Sequence, residues 1–338
     1  MKNSSSGISR RTFLGSTAGL AIASAGAESL TRPAFAAEPL TYITSFGFVV
    51  DYAPDLNAHS GGHYAKQGFT SNVIGGRGSS NSIQALVADQ AKFTRLGAME
   101  ILRARSAGSV DLVAVATLFQ SSSFSLVFPT DKKFQKMSDF SGKTVGIMSV
   151  GGLSENFLDL MLVSEGVDPT SVKRQVVGNN PGNFELTKLG RIDAFLSSTS
   201  TNFTMKQSNL PFTEWSTDNY APMPGQAFVT LRKVIDNEPA LVERFVKAMN
   251  ASVQEYLTAD LAMIYDRLKK DFDLVGDRAA GIGAMGAFRE LIVSQGKNNV
   301  MKNVPELWTK AATALNKSGL AKVNDVQEAY TNKFVASL

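Results

Sequence analysis

From Pro39 onward, short apolar runs alternate with stretches in which apolar residues recur at helical spacing, the first kind favouring strands and the second helices. Residues 40–44, 71–74, 91–96 and 112–118 predict strands. Residues 80–89 and 98–107 predict helices, the second stopping before Gly108 as a helix with a glycine stop does. A second series follows, with strands over 144–148, 174–177 and 192–197 and helices over 154–165 and 183–189. In the C-terminal part no strand pattern returns. Leu241, Phe245, Met249, Val253 and Leu257 instead recur every four positions, which predicts one long amphipathic helix, and further helical stretches run to the end.

Strands alternating with helices predict an α/β fold, each sheet mainly parallel and flanked by helices on both faces. Two series predict two such sheets. The 338 residues exceed the usual size of one domain and suffice to bury a sizeable core. There is no cysteine, so that core holds the fold without disulfides.

The start of the chain departs from this pattern. Lys2, Arg10 and Arg11 lie before an apolar stretch that runs from Phe13 to about Ala25, and Ala34-Phe35-Ala36 has the small-residue form of a cleavage site. Ser9-Arg10-Arg11-Thr12-Phe13-Leu14 resembles the bacterial twin-arginine consensus, and Gly15, Ser16, Thr17 and Gly19 dilute the apolar stretch as that export route tolerates. Residues 1–36 are therefore expected to be a twin-arginine signal peptide cut near Ala36/Ala37, leaving a soluble periplasmic chain. A membrane anchor would need about 20 strongly apolar residues, and a lipid anchor would need a cysteine at the cleavage point.

The net charge of +4 then changes meaning. Lys2, Arg10, Arg11 and Arg32 against Glu28 place most of it in the leader, and the remainder is close to neutral. Nothing in such a balance, without a run of like charge, calls for nucleic acid or an anionic membrane as partner.

Several segments carry a family likeness, in order along the chain. The first strand is followed by an aromatic, Pro-containing loop, Phe46-Gly47-Phe48-Val49-Val50-Asp51-Tyr52-Ala53-Pro54, and then Gly76-Arg77-Gly78-Ser79-Ser80 opens a helix. Ala91-Lys92-Phe93 stands where the family usually has a Gly-x-x-Asp-Phe turn. Asp139-Phe140-Ser141-Gly142-Lys143-Thr144-Val145-Gly146, Gly190-Arg191-Ile192-Asp193-Ala194, Trp308 and Tyr330-Thr331-Asn332-Lys333-Phe334 follow. Together they resemble the periplasmic solute-binding proteins of ABC importers in the nitrate, sulfonate, taurine and thiamine-pyrimidine-precursor group, over nearly all of the chain after the leader.

The resemblance implies a two-lobed, type II periplasmic-binding fold. Lobe 1 would comprise 37–125 plus 229–338, lobe 2 would be the inserted 126–228, and the chain would cross near 123–129 and 226–232. It further implies a monomer without cofactor that closes on a small-molecule ligand and delivers it to an ABC permease in the inner membrane.

In open α/β sheets ligands bind outside the carboxyl ends of strands, where backbone amides and helix N-termini converge. That rule selects Phe48, Asp51 and Tyr52; Gly78, Ser79 and Ser80; Met99, from the loop 97–100; and Gln120 and Ser121. In the inserted part it selects Gly151, Gly152 and Ser154, then Ser198 and Thr199, with Tyr220 closing one wall. Core packing of Phe46 and Phe48 and ordinary helix capping by the serines are the competing readings. These loops hold aromatics, hydroxyls and amides, with Arg77 as the only base. Such a set suits a small planar organic ligand, a pyrimidine or other heteroaromatic, better than a sulfonate or nitrate, although helix N-termini could hold an anion unaided.

Other motifs point elsewhere and fail. Gly142-Lys143-Thr144 lacks the earlier glycine of a phosphate loop, where Met137 stands, and Gly76-x-Gly78 lacks the third glycine of a dinucleotide site. His59 and His63 have a metal pair's spacing, but Gly61 and Gly62 argue against the helix such a pair needs, so the reading is solvated surface histidines and no metal. Fungal thiamine-pyrimidine synthases resemble the same family but carry a cysteine-rich motif, absent here, so no enzymatic role is expected. A ligand sensor for a membrane receptor remains a rival with the same cleft.

Overall fold

A computed structural model describes residues 37–336; the expected signal peptide and its twin-arginine motif lie outside the described residues. Ten strands build two five-stranded sheets. They are β1 (Glu38–Thr44), β2 (Phe69–Gly75), β3 (Phe93–Leu96), β4 (Leu112–Phe119), β5 (Phe124–Pro129), β6 (Thr144–Ile147), β7 (Lys173–Val176), β8 (Ala194–Ser198), β9 (Phe212–Ser216) and β10 (Gln226–Leu231). The helices are α1 (Ala53–Ser60), α2 (His63–Lys66), α3 (Ser79–Val87), α4 (Ala98–Ser106), α5 (Leu153–Ser164), α6 (Asn183–Lys188), α7 (Thr199–Gln207), α8 (Arg232–Asn237), α9 (Pro239–Thr258), α10 (Leu261–Asp271), α11 (Arg278–Val293) and α12 (Pro305–Ser318).

The first sheet runs β2-β1-β3-β10-β4 and the second β7-β6-β8-β5-β9. Each is parallel except for one strand, β10 in the first and β5 in the second, which is antiparallel to both neighbours. Those two are the strands by which the chain enters a sheet after leaving the other, so each lobe is a mainly parallel sheet with one returning strand, covered by helices. Residues 124–129 and 226–231, where crossings were expected, are these strands themselves. The links between sheets lie just before them, at 120–123 and 217–225.

Local chemistry accounts for the elements. β4 is apolar or hydroxyl-bearing throughout and buried at every position although it is the last strand of its sheet, because both faces are covered and Met301 and Tyr330 bridge to its outer edge. Pro54 lies in the first turn of α1 and Pro239 in that of α9, where a missing N–H costs nothing. The four-residue repeat of α9 is buried through Leu241, Phe245, Met249 and Val253. Phe245 stacks on Phe93 of β3 with ring centroids 3.7 Å apart, which fixes α9 against the first sheet. Trp308 of α12 stacks on Tyr330 at 5.3 Å and ties down the C-terminal segment. Among the described residues no helix is long and apolar enough to cross a membrane.

The histidines correct an expectation. The glycines do end α1 at Gly61, but Gly62, at φ +70°, restarts the chain as α2, so neither histidine is a freely solvated side chain. His63 is buried, its Nε2 hydrogen-bonded to Glu255 Oε2 at 2.7 Å. His59 bonds Ser71 through Nδ1 at 2.7 Å, with its ring edge-on to Phe272.

Candidate functional site

Between the two sheets lies a cavity of about 710 Å³, walled from the first lobe by the residues after β1, the starts of α3 and α4 and the N-terminal half of α11, and from the second by the start of the antiparallel β5 and the residues after β6, β7 and β8. The carboxyl-end rule for open sheets thus locates it. Of the residues expected to bind ligand, Asp51, Tyr52, Ser79, Ser154 and Ser198 meet there.

The others do not line the cavity. Phe48 turns to Phe272, with ring centroids 4.9 Å apart. Met99 is buried in the core. Gln120 is also buried, its Nε2 donating to the carbonyls of Asn299 at 2.8 Å and Lys302 at 2.9 Å. Ser121 lies in the first link against Gly225. Gly78, at φ +118°, makes the sharp entry to α3, and Ser80 on that helix is exposed. Gly151, at φ +67°, and Gly152 shape the entry to α5. The Thr199 hydroxyl donates to the Ser123 carbonyl at 3.2 Å. Tyr220 belongs to a separate groove with α5 and α12, its ring beside Trp215.

The wall from the second lobe is a network of hydroxyls and amides. Asn179 Nδ2 donates to the Ser198 hydroxyl at 2.9 Å, the Thr201 hydroxyl donates to Asn179 Oδ1 at 2.8 Å, and the Ser198 and Ser200 hydroxyls are 2.9 Å apart. Val49, Val50, Phe124, Leu153, Pro181 and Ala284 supply apolar surface. Phe46 stands 60% exposed at the rim.

Charge enters from the first lobe. Burial raises the Asp51 carboxyl above the usual range, only partly offset by the Arg95 guanidinium. Burial likewise raises Glu100, which accepts the Gly97 N–H at 2.8 Å. Tyr52 is pushed up to about 12, again mainly by burial.

Arg95 is the charged group that loop reading missed. It sits inside β3 rather than in a loop, and an arginine within a fully buried strand was the available signal. Its side chain is wholly buried, with Nη1 3.0 Å from Asp55 Oδ2 and Nη2 donating to the Asp51 carbonyl at 2.6 Å. Its guanidinium carbon lies 4.3 Å from the centre of the Tyr52 ring and 4.9 Å from that of Phe119. Asp55 in turn accepts the Tyr42 hydroxyl. Besides Arg95, which lines the cavity while ion-paired with Asp55, the charged groups along its wall are the carboxylates Asp51, Glu100 and, at the rim, Asp277. Among the described residues no group of three or more His, Cys, Asp or Glu side chains could hold a metal.

The comparisons agree with this architecture. Structures sharing the fold include a protein from Bordetella bronchiseptica, 16% identical with a TM-score of 0.69 over 90% of this chain and 97% of that one. The periplasmic aliphatic sulphonate binding protein SsuA from Escherichia coli is 13% identical with a TM-score of 0.65, covering 86% of this chain and 91% of its own. The periplasmic nitrate-binding protein NrtA from Synechocystis is 14% identical with a TM-score of 0.59, covering 89% and 87%. Searched by sequence, the chain matches no curated protein. The profile of the family described as NMT1/THI5 like, however, matches residues 50–260, and the chain belongs to that family.

Proposed function

We propose that this chain is the extracytoplasmic solute-binding component of an ABC importer, and that its cavity takes a small planar organic ligand, a pyrimidine or another heteroaromatic bearing N–H donors. The fold shared with sulphonate- and nitrate-binding proteins supports the first part. The observation that carries the second is the pair of half-buried carboxyls, Asp51 and Glu100, in a cavity whose one arginine is already paired with Asp55. An oxyanion entering there would face like charge in a poorly solvated site, whereas ring N–H and amino groups find acceptors and an apolar wall. In this reading residues 1–36 direct export and are removed, and the monomer hands its ligand to a membrane permease without altering it.

Thermal-shift measurements on residues 37–338 test it, because a ligand that binds only the folded state stabilises by about 2.7 kcal/mol at a hundred times its dissociation constant. Aminopyrimidines, purines, flavins, aromatic acids, alkanesulfonates and nitrate form the panel. Stabilisation by an aminopyrimidine or a related heteroaromatic, with the compound recovered unchanged, is expected. Stabilisation by sulfonate or nitrate alone would overturn the ligand assignment, and turnover of the compound would overturn the binding-protein reading.

A further inference from the structure

We infer that Phe203 and Gly283 form a latch that sets how readily the two lobes close, and so tunes ligand affinity without touching the ligand. The inference rests on the binding-protein reading, but its primary test needs no ligand. Phe203 lies on α7 of the second lobe, and α7 packs along α11 of the first. A Cβ added at Gly283 would overlap the Phe203 ring. Neither residue lines the cavity, although their neighbours Thr204 and Ala284 do.

The glycine needs this explanation. Gly283 lies within α11 and has no positive φ that would exclude a side chain. In a helix interior glycine is less favourable than alanine by about 1 kcal/mol. The feature that requires its bare backbone is the aromatic ring arriving from the opposite lobe. Gly286, one turn along the same helix, makes the contrast: the nearest atom to a Cβ there is Leu261 Cδ1 at 4.0 Å, so a methyl group fits. Ser200, three residues earlier on α7, and Asp51 of the first lobe both line the cavity, so the latch stands beside the ligand site.

The contact between Phe203 and Gly283 exists only when the lobes meet, so it contributes to the closed state and not to the open one. If ligand binds the closed state, the apparent dissociation constant rises as the closed fraction falls. A latch contribution of about 1.4 kcal/mol corresponds to a tenfold change in affinity.

The test uses residues 37–338 as wild type, Gly283→Ala, Phe203→Ala, Gly286→Ala and the double variant Gly283→Ala/Phe203→Ala. Small-angle X-ray scattering of the free proteins should give a larger radius of gyration for Gly283→Ala and Phe203→Ala, and a wild-type value for Gly286→Ala. The double variant should be no more open than Phe203→Ala, because removing the ring makes room for the methyl group; that non-additivity is what a simple helix-propensity effect would not produce. For any compound found by thermal shift, Gly283→Ala should weaken binding about tenfold without changing which compounds bind. Wild-type scattering from both Gly283→Ala and Phe203→Ala would overturn the latch. Failure to find a ligand would bear only on the function proposed above.

Discussion

Asp218, just beyond β9 in the second link, accepts the backbone N–H of Ser122 in the first at 2.8 Å, so one carboxylate joins the two links between the sheets. Burial pushes it up to about 6, and the Ser122 N–H offsets only part of that rise.

A carboxyl whose folded-state pKa lies above its unfolded value of about 3.9 stabilises the fold while protonated, and that contribution is lost as pH rises through the folded value. Asp218 and Asp55, both at about 6 through burial, act in this sense. Glu255, at about 2 because Arg267, Asn57 and His63 outweigh its burial, acts oppositely and loses its contribution only at lower pH. Urea unfolding of residues 37–338 should therefore show these two aspartates lowering stability between about pH 4 and about pH 7. Asp218→Asn should flatten that decline, and a profile that overlays wild type would show that Asp218 ionisation is not coupled to folding.

Replacing Arg95 by leucine should cost about 3–5 kcal/mol, because it leaves Asp55 without its ion-pair partner in the core. The denaturation midpoint reads this directly. Adding Asp55→Asn should recover part of the loss, whereas equal losses in the single and double variants would mean that the arginine acts through packing on Tyr52 and Phe119 alone.

Gly225 marks a close approach between the links: a Cβ there would overlap the Ser121 carbonyl oxygen, and the Gly225 N–H donates to Phe119 at 2.8 Å. Gly225→Ala should cost about 1–3 kcal/mol, as overpacking typically does. Hydrogen exchange should rise at residues 120–123 and 220–225 while α9 stays protected.

Glu100→Gln should leave the melting temperature nearly unchanged and weaken binding of the stabilising heteroaromatic at least tenfold, since a hydrogen bond to a charged group contributes about 1.5–3 kcal/mol. Titration calorimetry measures it. Unchanged affinity would remove Glu100 from the recognition of the ligand.

Much of the fold is legible in the sequence because periodicity reports burial directly. The strand over 112–118 and the four-residue repeat from Leu241 to Val253 fall close to the observed bounds of β4 and within α9. The cavity's location is legible too, since strand ends and helix starts follow from the same pattern, and Asp51, Ser79 and Ser198 sit at them. Side-chain direction is not. Met99, at the start of α4, and Gln120, just after β4, stand at suitable positions yet are buried, and only tertiary packing decides that. Arg95 stayed hidden for the converse reason: its partner Asp55 is forty positions away in a helix that the pattern did not mark. The charge of the cavity, on which the ligand assignment rests, depends on that pairing.

The placement of β10 between β3 and β4 sets an order of events during synthesis. The second sheet has all its strands once residue 216 has emerged, but the first cannot be completed before residue 231. The inserted lobe can therefore fold while the first lobe still waits for its fifth strand. Throughout that interval β4, eight residues that end up wholly buried, has no hydrogen-bonding neighbour in its own sheet. An apolar strand left in that state is prone to pair with other chains, which makes residues 112–119 the part of a nascent chain that most needs shielding by a chaperone.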